Sequence, residues 1–260
     1  MASNQAVVIG DPLQIEPVVT APKEVIDRMA ENLNLSHWNP FIQSAQSVAD
    51  RLTKYGAYIK TNNGRVWTGV PLRVHHRCSE PMFSISNAVA YDNQMVSAKP
   101  AVETGIKLPK SSWINIESEI FEDTHVIPME LEALDSLLKK IKTSGYKGEL
   151  FVITPFKKIS NRLHEEYSLR NWAEYTSFFK NESIGTVHSF QGREADIVVF
   201  MLGGNPNKHG SRKWASSKPN LLNVALTRAK LNIYFIGNRA LWGKLPYFSE
   251  ASAGLANNLQ

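Results

Sequence analysis

The sequence predicts an α/β protein built on a doubly wound, mainly parallel sheet. Two observations predict it. Short apolar runs such as "AVVI", "LFVI" and "ADIVVFM" are continuous rather than alternating, the pattern of strands buried on both faces. Between them lie helical patterns of about 10–15 residues, the rhythm of βαβ units. At 260 residues the chain suffices for one large or two small domains, and 43% hydrophobic and 20% charged residues are ordinary globular values. Lys and Arg number 29 against 24 Asp and Glu, a net +5 with a pI near 9.2, a mild bias toward a polyanionic partner. The single cysteine, Cys78, excludes an internal disulfide framework. No run approaches the ~18–20 apolar residues of a membrane span, and "MASNQAVVIG" lacks the signal-peptide pattern. The expectation is a soluble, cytoplasmic chain with no membrane partner.

In order along the chain, residues 6–9 are expected to form a buried strand ending in the turn Gly10-Asp11-Pro12-Leu13-Gln14. Val25, Ile26, Met29, Leu33 and Leu35 recur at helical intervals, and a second helix follows, capped near Ser44 and ended by Gly56. Asn63-Gly64 in "TNNGRVWTG" signals a hairpin. "PLRVHHRC" starts extended and passes into a helix from about Glu80, with Met82, Phe83, Ile85, Ala88 and Val89 on one side. A strand in "SSWINIES" precedes a helix striped by Leu131, Leu134, Leu137, Leu138 and Ile141, with Gly145 past its end. Strand "GELFVITPF", helix "KKISNRLHEEYSLRNW", and strands "ESIGTVHSFQG" and "ADIVVFMLGG" come next. A helix opened by Pro219, strand "LNIYFIGN" and the short helix "RALWGKL" complete the pattern; residues 203–220 read as a loop.

In doubly wound sheets chemistry collects at the carboxyl ends of the strands. The residues that follow strands here are Asp11 and Gln14; His75, His76 and Arg77; Thr154, Pro155 and Phe156; and Thr186, His188, Ser189, Gln191, Gly192, Arg193 and Glu194. The last long helix carries Asn223, Thr227, Arg228 and Lys230. Bidentate guanidinium donors, neutral hydroxyl and amide donors, and a carboxylate for a ribose hydroxyl suit a phosphate-rich ligand. The phosphate loop G-x-x-x-x-G-K-[ST] is nevertheless missing: of 15 glycines only Gly243 precedes a lysine, without the upstream glycine or the hydroxyl residue. No apolar strand ends in Asp-Glu. His75, His76 and Cys78 lack a second ligand pair at metal-site spacing, so no metal site is expected. Trp214 among Lys208, Arg212, Lys213 and Lys218 is a basic, aromatic stretch that suits either a nucleic-acid contact or a mobile, solvated loop.

"VVIGDPLQ", "PLRVHHRCSEPMF", "TVHSFQGREADIVVF" and "LLNVALTRAKLNIYFIGN" resemble, in order and spacing, the later motifs of superfamily 1 helicases, in the branch with Upf1-like and Dna-two-like members. The resemblance covers nearly the whole chain. It implies a RecA-like P-loop NTPase fold, ATP with Mg2+ bound between two such domains, and single-stranded DNA or RNA across the top. Carried over residue by residue, it implies that Gln14 senses the γ-phosphate and that Arg77 and Arg228 are the arginines offered to it. Asp11, His76, Gly192 and Glu194 would serve nucleotide binding, Glu194 through a ribose hydroxyl. Thr154, Pro155, Phe156, Thr186, His188, Ser189, Gln191 and Asn223 would lie near the nucleic acid. His76 stands where the family commonly has a base-stacking tyrosine. The family carries its phosphate loop upstream of GDPLQ. The expectation is therefore residues 1–68 as a remnant of the first RecA-like domain, 69–250 as the second, and 251–260 as a tail. Alone, such a chain is expected to be inactive, its missing domain supplied in cis or in trans. The alternative is a non-catalytic nucleic-acid-binding module or a truncated gene product.

Overall fold

The computed structural model describes residues 6–15, 19–41, 43–61, 64–100, 107–118 and 125–258. Helices α1 (Lys23–Asn32) and α2 (Ala45–Leu52) come first. Ser44 caps α2 in a reciprocal box: its hydroxyl accepts from the Ser47 amide, and the Ser47 hydroxyl accepts from the Ser44 amide. Strands β1 (Gly56–Thr61) and β2 (Gly64–Gly69) form an antiparallel hairpin, as the turn signal predicts; Asn63 itself lies outside the described residues. Then follow β3 (Val74–His75), α3 (Met82–Ala90), β4 (Val96–Ser97), β5 (Ser112–Asn115) and α4 (Pro128–Thr143). Pro128 opens α4, where its missing amide costs no hydrogen bond, and Gly145 beyond its end takes φ +77°. Strand β6 (Leu150–Thr154), α5 (Lys157–Leu169), β7 (Ile184–Thr186), β8 (Ala195–Met201), α6 (His209–Ala215), α7 (Asn220–Arg228), β9 (Ala229–Gly237), α8 (Arg239–Trp242), α9 (Phe248–Gly254) and β10 (Ala256–Asn258) complete the order.

Six strands form one sheet in the order β10-β5-β9-β8-β6-β7, with every neighbouring pair parallel. This is the α/β class the sequence predicts. The inner strands β6 and β8 are apolar on both faces, and Val152, Ile153, Val198 and Val199 are wholly buried. The main core draws its fully buried residues from Cys78 to Leu255; Leu13, Ile59 and Ala90 make a small separate cluster.

Three sequence expectations are corrected. Residues 6–9 join no strand, and Val7 and Ile9 are 87% and 85% exposed. A strand apolar on both faces needs neighbours on both sides, and residues 6–9 pair with no strand of the six-stranded sheet, whose edge strands are β10 and β7. The stretch 203–220 is not all loop, because α6 and the first residue of α7 lie within it. Finally, residues 251–258 close α9 and supply the edge strand β10, in a stretch expected to be a tail.

Candidate functional site

A cleft of about 1130 Å³ brings together Asp11, Gln14, His76, Arg77, Gln191 and Glu194. Glu194 and Asp196 stand at the entry to β8, and Thr227 and Lys230 at the entry to β9, so the cleft opens at the amino ends of the two central strands. Thr154, Pro155 and Phe156 sit at the carboxyl end of β6. The reason is topological: the 192–194 turn and α7 each hand the chain into a strand. Gly192, at φ +83°, makes the first of these turns in a backbone region that side chains with a Cβ avoid.

One wall is the Asp11–Gln14 turn. The Asp11 carboxylate accepts from the Leu13 amide (2.9 Å) and from Gln14 Nε2 (3.2 Å), the self-bonded turn expected of Asp beside Pro. Tyr91 Oη donates to the same carboxylate at 2.6 Å. The turn is fastened to α7. Asn223 Nδ2 donates to the Leu13 carbonyl (2.9 Å) and to Tyr91 Oη (3.0 Å), Ser86 Oγ donates to Asn223 Oδ1 (2.7 Å), and Asn220 Nδ2 donates to the Gln14 carbonyl. Burial pushes the Tyr91 hydroxyl well above the usual tyrosine range, and the Asp11 charge adds to it, so Tyr91 remains a donor.

The opposite wall is ionic. Arg77 Nε and Glu194 pair at 2.7 Å, and Lys230 Nζ lies 3.8 Å from Glu194 and 3.3 Å from Asp196. Tyr146 Oη donates to Asp196 at 3.0 Å. Lys99 Nζ donates to the carbonyls of Arg77 and Lys230, tying the two approaches together. Its pKa is lowered by burial first and by Lys230 among its neighbours. His75 accepts from the Cys78 amide through Nε2 (2.9 Å), and burial with nearby Arg77 lowers its pKa. Cys78 is buried, its thiol pushed up to about 12, which makes it inert rather than nucleophilic.

Arg228 is only 1% exposed and is not among the residues lining the cleft. Its guanidinium donates to the carbonyls of Val224 (3.3 Å), Phe190 (3.4 Å) and Arg193 (2.9 Å) and to Thr227 Oγ1 (3.3 Å). No carboxylate pairs with it among the described residues. Of the residues expected along the nucleic acid, Thr186 is half-buried and His188, Ser189 and Gln191 are exposed. Thr154 and Phe156 are buried, Thr154 Oγ1 accepting from the Phe156 amide (3.3 Å) while the Phe156 ring stacks on His125 at 4.1 Å. Asn223 is wholly buried in the clamp described above. Sequence reasoning missed Tyr91, Asn220, Lys99 and Asp196. Only Tyr91 left a signal, a hydroxyl needing a partner at the end of an apolar helix. Among the described residues no cluster of His, Cys, Asp or Glu is fit to hold a metal ion, and no helix is long and apolar enough to cross a membrane.

The parallel α/β sheet thus has its two central strands begin at a cleft lined by arginine, lysine, amide and carboxylate groups. A family model described as an AAA domain matches residues 46–240, most of the chain, and the chain belongs to that family. Within it, this is a superfamily 1 helicase domain of the Upf1 and Sen1 type. Helicase sen1 of Schizosaccharomyces pombe is 26% identical over 259 residues, 94% of this chain and 14% of that protein. A regulator of nonsense transcripts 1 homolog of Arabidopsis thaliana is 26% identical over 264 residues, covering 95% and 18%. The chain thus spans less than a fifth of the length of these two curated relatives. Among solved structures, Arterivirus nonstructural protein 10 (helicase) is 18% identical with a TM-score of 0.29, covering 64% of this chain and 25% of that one.

Proposed function

We propose that the chain is the second RecA-like half of an ATP-dependent DNA or RNA helicase, acting with a domain that carries the phosphate loop. One observation carries this reading. The Asp11–Gln14 turn, clamped by Asn220 and Asn223, faces Arg77 and Glu194 across a single cleft. Residues 1–68 then belong with the partner domain and 69–250 form the second domain, with 251–258 adding to its edge.

The cleft suits ATP in volume and in charge, because Arg77 and Lys230 offer cations and Gln14 and Gln191 neutral donors. It does not suit Mg2+: the described residues hold no carboxylate cluster, and the sequence has no phosphate loop. In this proposal those ligands belong to the partner domain. Gln14 reports the γ-phosphate to α7 through the Asn220 and Asn223 bonds. Arg77 exchanges Glu194 for the charge on the transferred phosphoryl group, leaving Glu194 to accept from a ribose hydroxyl. An arginine in that role is worth ~10³–10⁵ in rate. Arg228 backs this wall, and contact with a phosphate requires it to exchange the carbonyls it now holds. His76 and Gly192 border the nucleotide, and the strand runs along Thr186, His188, Ser189 and Gln191, held by neutral donors that permit sliding.

The test is ATP hydrolysis by the purified chain. None above background is expected, and turnover that disappears in Arg228→Ala overturns the proposal. Single-stranded oligonucleotide binding is expected to weaken steeply between 50 and 200 mM salt, by roughly tenfold or more for a few phosphate contacts. A second reading, a non-catalytic nucleic-acid-binding module, is favoured by the seating of Arg228 on backbone carbonyls. It predicts strand binding that ATP and a phosphate-loop domain leave unchanged.

A further inference from the structure

The hairpin β1–β2 lies outside the six-stranded sheet and carries side chains the cleft does not use. Strand alternation places Tyr58 and Lys60 on one face, and register sets Trp67 and Arg65 directly opposite them. The Tyr58 and Trp67 rings meet edge to face at 5.0 Å, with Tyr58 58% exposed. Trp67 is fixed by its indole N–H, which donates to the Asp50 carbonyl at 3.0 Å. The hairpin is tied to the main body where Gln94 Nε2 donates to the Tyr58 carbonyl at 2.9 Å.

Lys60 and Arg65 form a like-charged pair directly across the strands, an arrangement that costs stability. Both are exposed, and neither forms an ion pair among the described residues. An aromatic pair followed two residues on by a cationic pair therefore lies uncompensated on a short hairpin. Beside it a cavity of about 400 Å³ is lined by Asp50, Arg51, Thr53, Tyr58, Val66 and Trp67. Asp50 is 3% exposed. One of its carboxylate oxygens accepts from the Gly69 amide (3.0 Å) and Gln46 Nε2 (2.7 Å), while the other is buried with no partner.

We propose that this face of the hairpin is a second binding site for single-stranded nucleic acid, separate from the cleft. A base stacks on the exposed Tyr58 ring, which Trp67 backs edge-on. Lys60, Arg65 and Arg51 take the adjoining phosphates, which relieves the like-charge pair. Flat rings beside cations are the combination that holds a strand without reading its sequence. The site shares with the helicase reading only the class of its ligand.

The test is photocrosslinking of a labelled single-stranded 12-mer to the full chain, with the modified residues mapped by mass spectrometry. Crosslinks at Tyr58 or Trp67 are expected. Adducts confined to residues 186–191 overturn the hairpin site and leave the helicase reading standing; adducts confined to the hairpin support this site and count against that strand path. None at either place overturns both. Tyr58→Leu keeps apolar bulk without the stacking face, and loss of a stacked base should weaken binding about 5- to 150-fold. Lys60→Glu with Arg65→Glu, on the exposed face, should weaken it further and lower the salt dependence, with circular dichroism verifying the fold. Unchanged affinity in both variants overturns the proposal. So does polyglutamate competing as well as the oligonucleotide, which would make the face a docking site for acidic protein.

Discussion

Replacing Asn223 with Ala tests the central joint of this structure, and its cost follows from three hydrogen bonds. The side chain is wholly buried. Truncation takes the donor from the Leu13 carbonyl (2.9 Å) and from Tyr91 Oη (3.0 Å) and the acceptor from Ser86 Oγ (2.7 Å). At a net ~1 kcal/mol per bond the loss is about 3 kcal/mol, and orphaned buried groups push it upward. A water in the vacated space pushes it back, so ~3 kcal/mol is the working figure. With a urea slope near ~3 kcal/mol/M, the unfolding midpoint should fall by about 1 M. Hydrogen exchange supplies a local readout. The Leu13 amide is held by Asp11 Oδ1 and the Gln14 amide by the Asp11 carbonyl, and both should lose protection as the turn leaves α7. Asn223→Asp separates hydrogen bonding from volume. It is the same size, but it sets an oxygen against the Leu13 carbonyl, so it should cost at least as much. Midpoints within ~0.2 M of the parent, with Leu13 and Gln14 equally protected, would refute the reasoning.

Arg228→Lys keeps the charge but loses the planar fork that serves Val224, Phe190 and Arg193; a loss of about 2–3 kcal/mol should lower Tm by roughly 4–12 °C in a thermal melt. Glu194→Gln removes an ion pair whose partners are 40% and 43% exposed, so stability should change by no more than about 1 kcal/mol, read by scanning fluorimetry. His125, stacked on Phe156 with Nδ1 unpartnered, has its pKa lowered by burial first and then by Lys158, Arg212 and Lys208. The folded chain refuses a proton that the unfolded chain accepts near the ordinary histidine value of 6.5, so this group's stability is present above that pH and lost as pH falls through the folded value. His75 and His188 act in the same direction, while buried Glu130, raised well above the usual range, acts oppositely. The comparison that isolates His125 is His125→Phe, which should gain stability relative to the parent from about pH 7.5 to about 5.5 in paired melts. An unchanged difference between the two would contradict the assignment.

Local signals in the sequence carried the elements well. The Leu131–Ile141 stripe, the Gly145 boundary, the Ser44 cap and the pairing of β1 with β2 all depend on neighbours in the chain, and the structure has each of them. What local signals miss is pairing. Residues 6–9 have the composition of a central strand, but composition does not say which sheet supplies the neighbours. The same gap hid the position of the cleft: a residue between two strands belongs to the carboxyl end of one or the amino end of the next, and only the topology decides. Motifs likewise named residue types without their facing. Asn223 and Thr154 stand inside stretches that resemble nucleic-acid contacts, yet both point to partners within the fold.

Helix α7 joins these findings. Its first turns carry Asn220 and Asn223, which grip the Asp11–Gln14 turn, and its last carries Arg228, which grips residues 190 and 193. The helix is buried along its whole length, so a shift at one end has little room to dissipate. On the proposed reading, a displacement of Gln14 is expected to reach the segment that bears His188, Ser189 and Gln191. The reverse holds as well, because a coupling free energy between two sites acts equally in both directions. If the proposed function is right, strand binding at 186–191 and phosphate sensing at Gln14 are two readings of one rigid element. Asn223→Ala should then weaken their coupling more than it weakens strand binding itself. That ordering is measurable as oligonucleotide affinity with and without ATP in the presence of a phosphate-loop domain. Equal losses in both would mean that α7 serves stability alone.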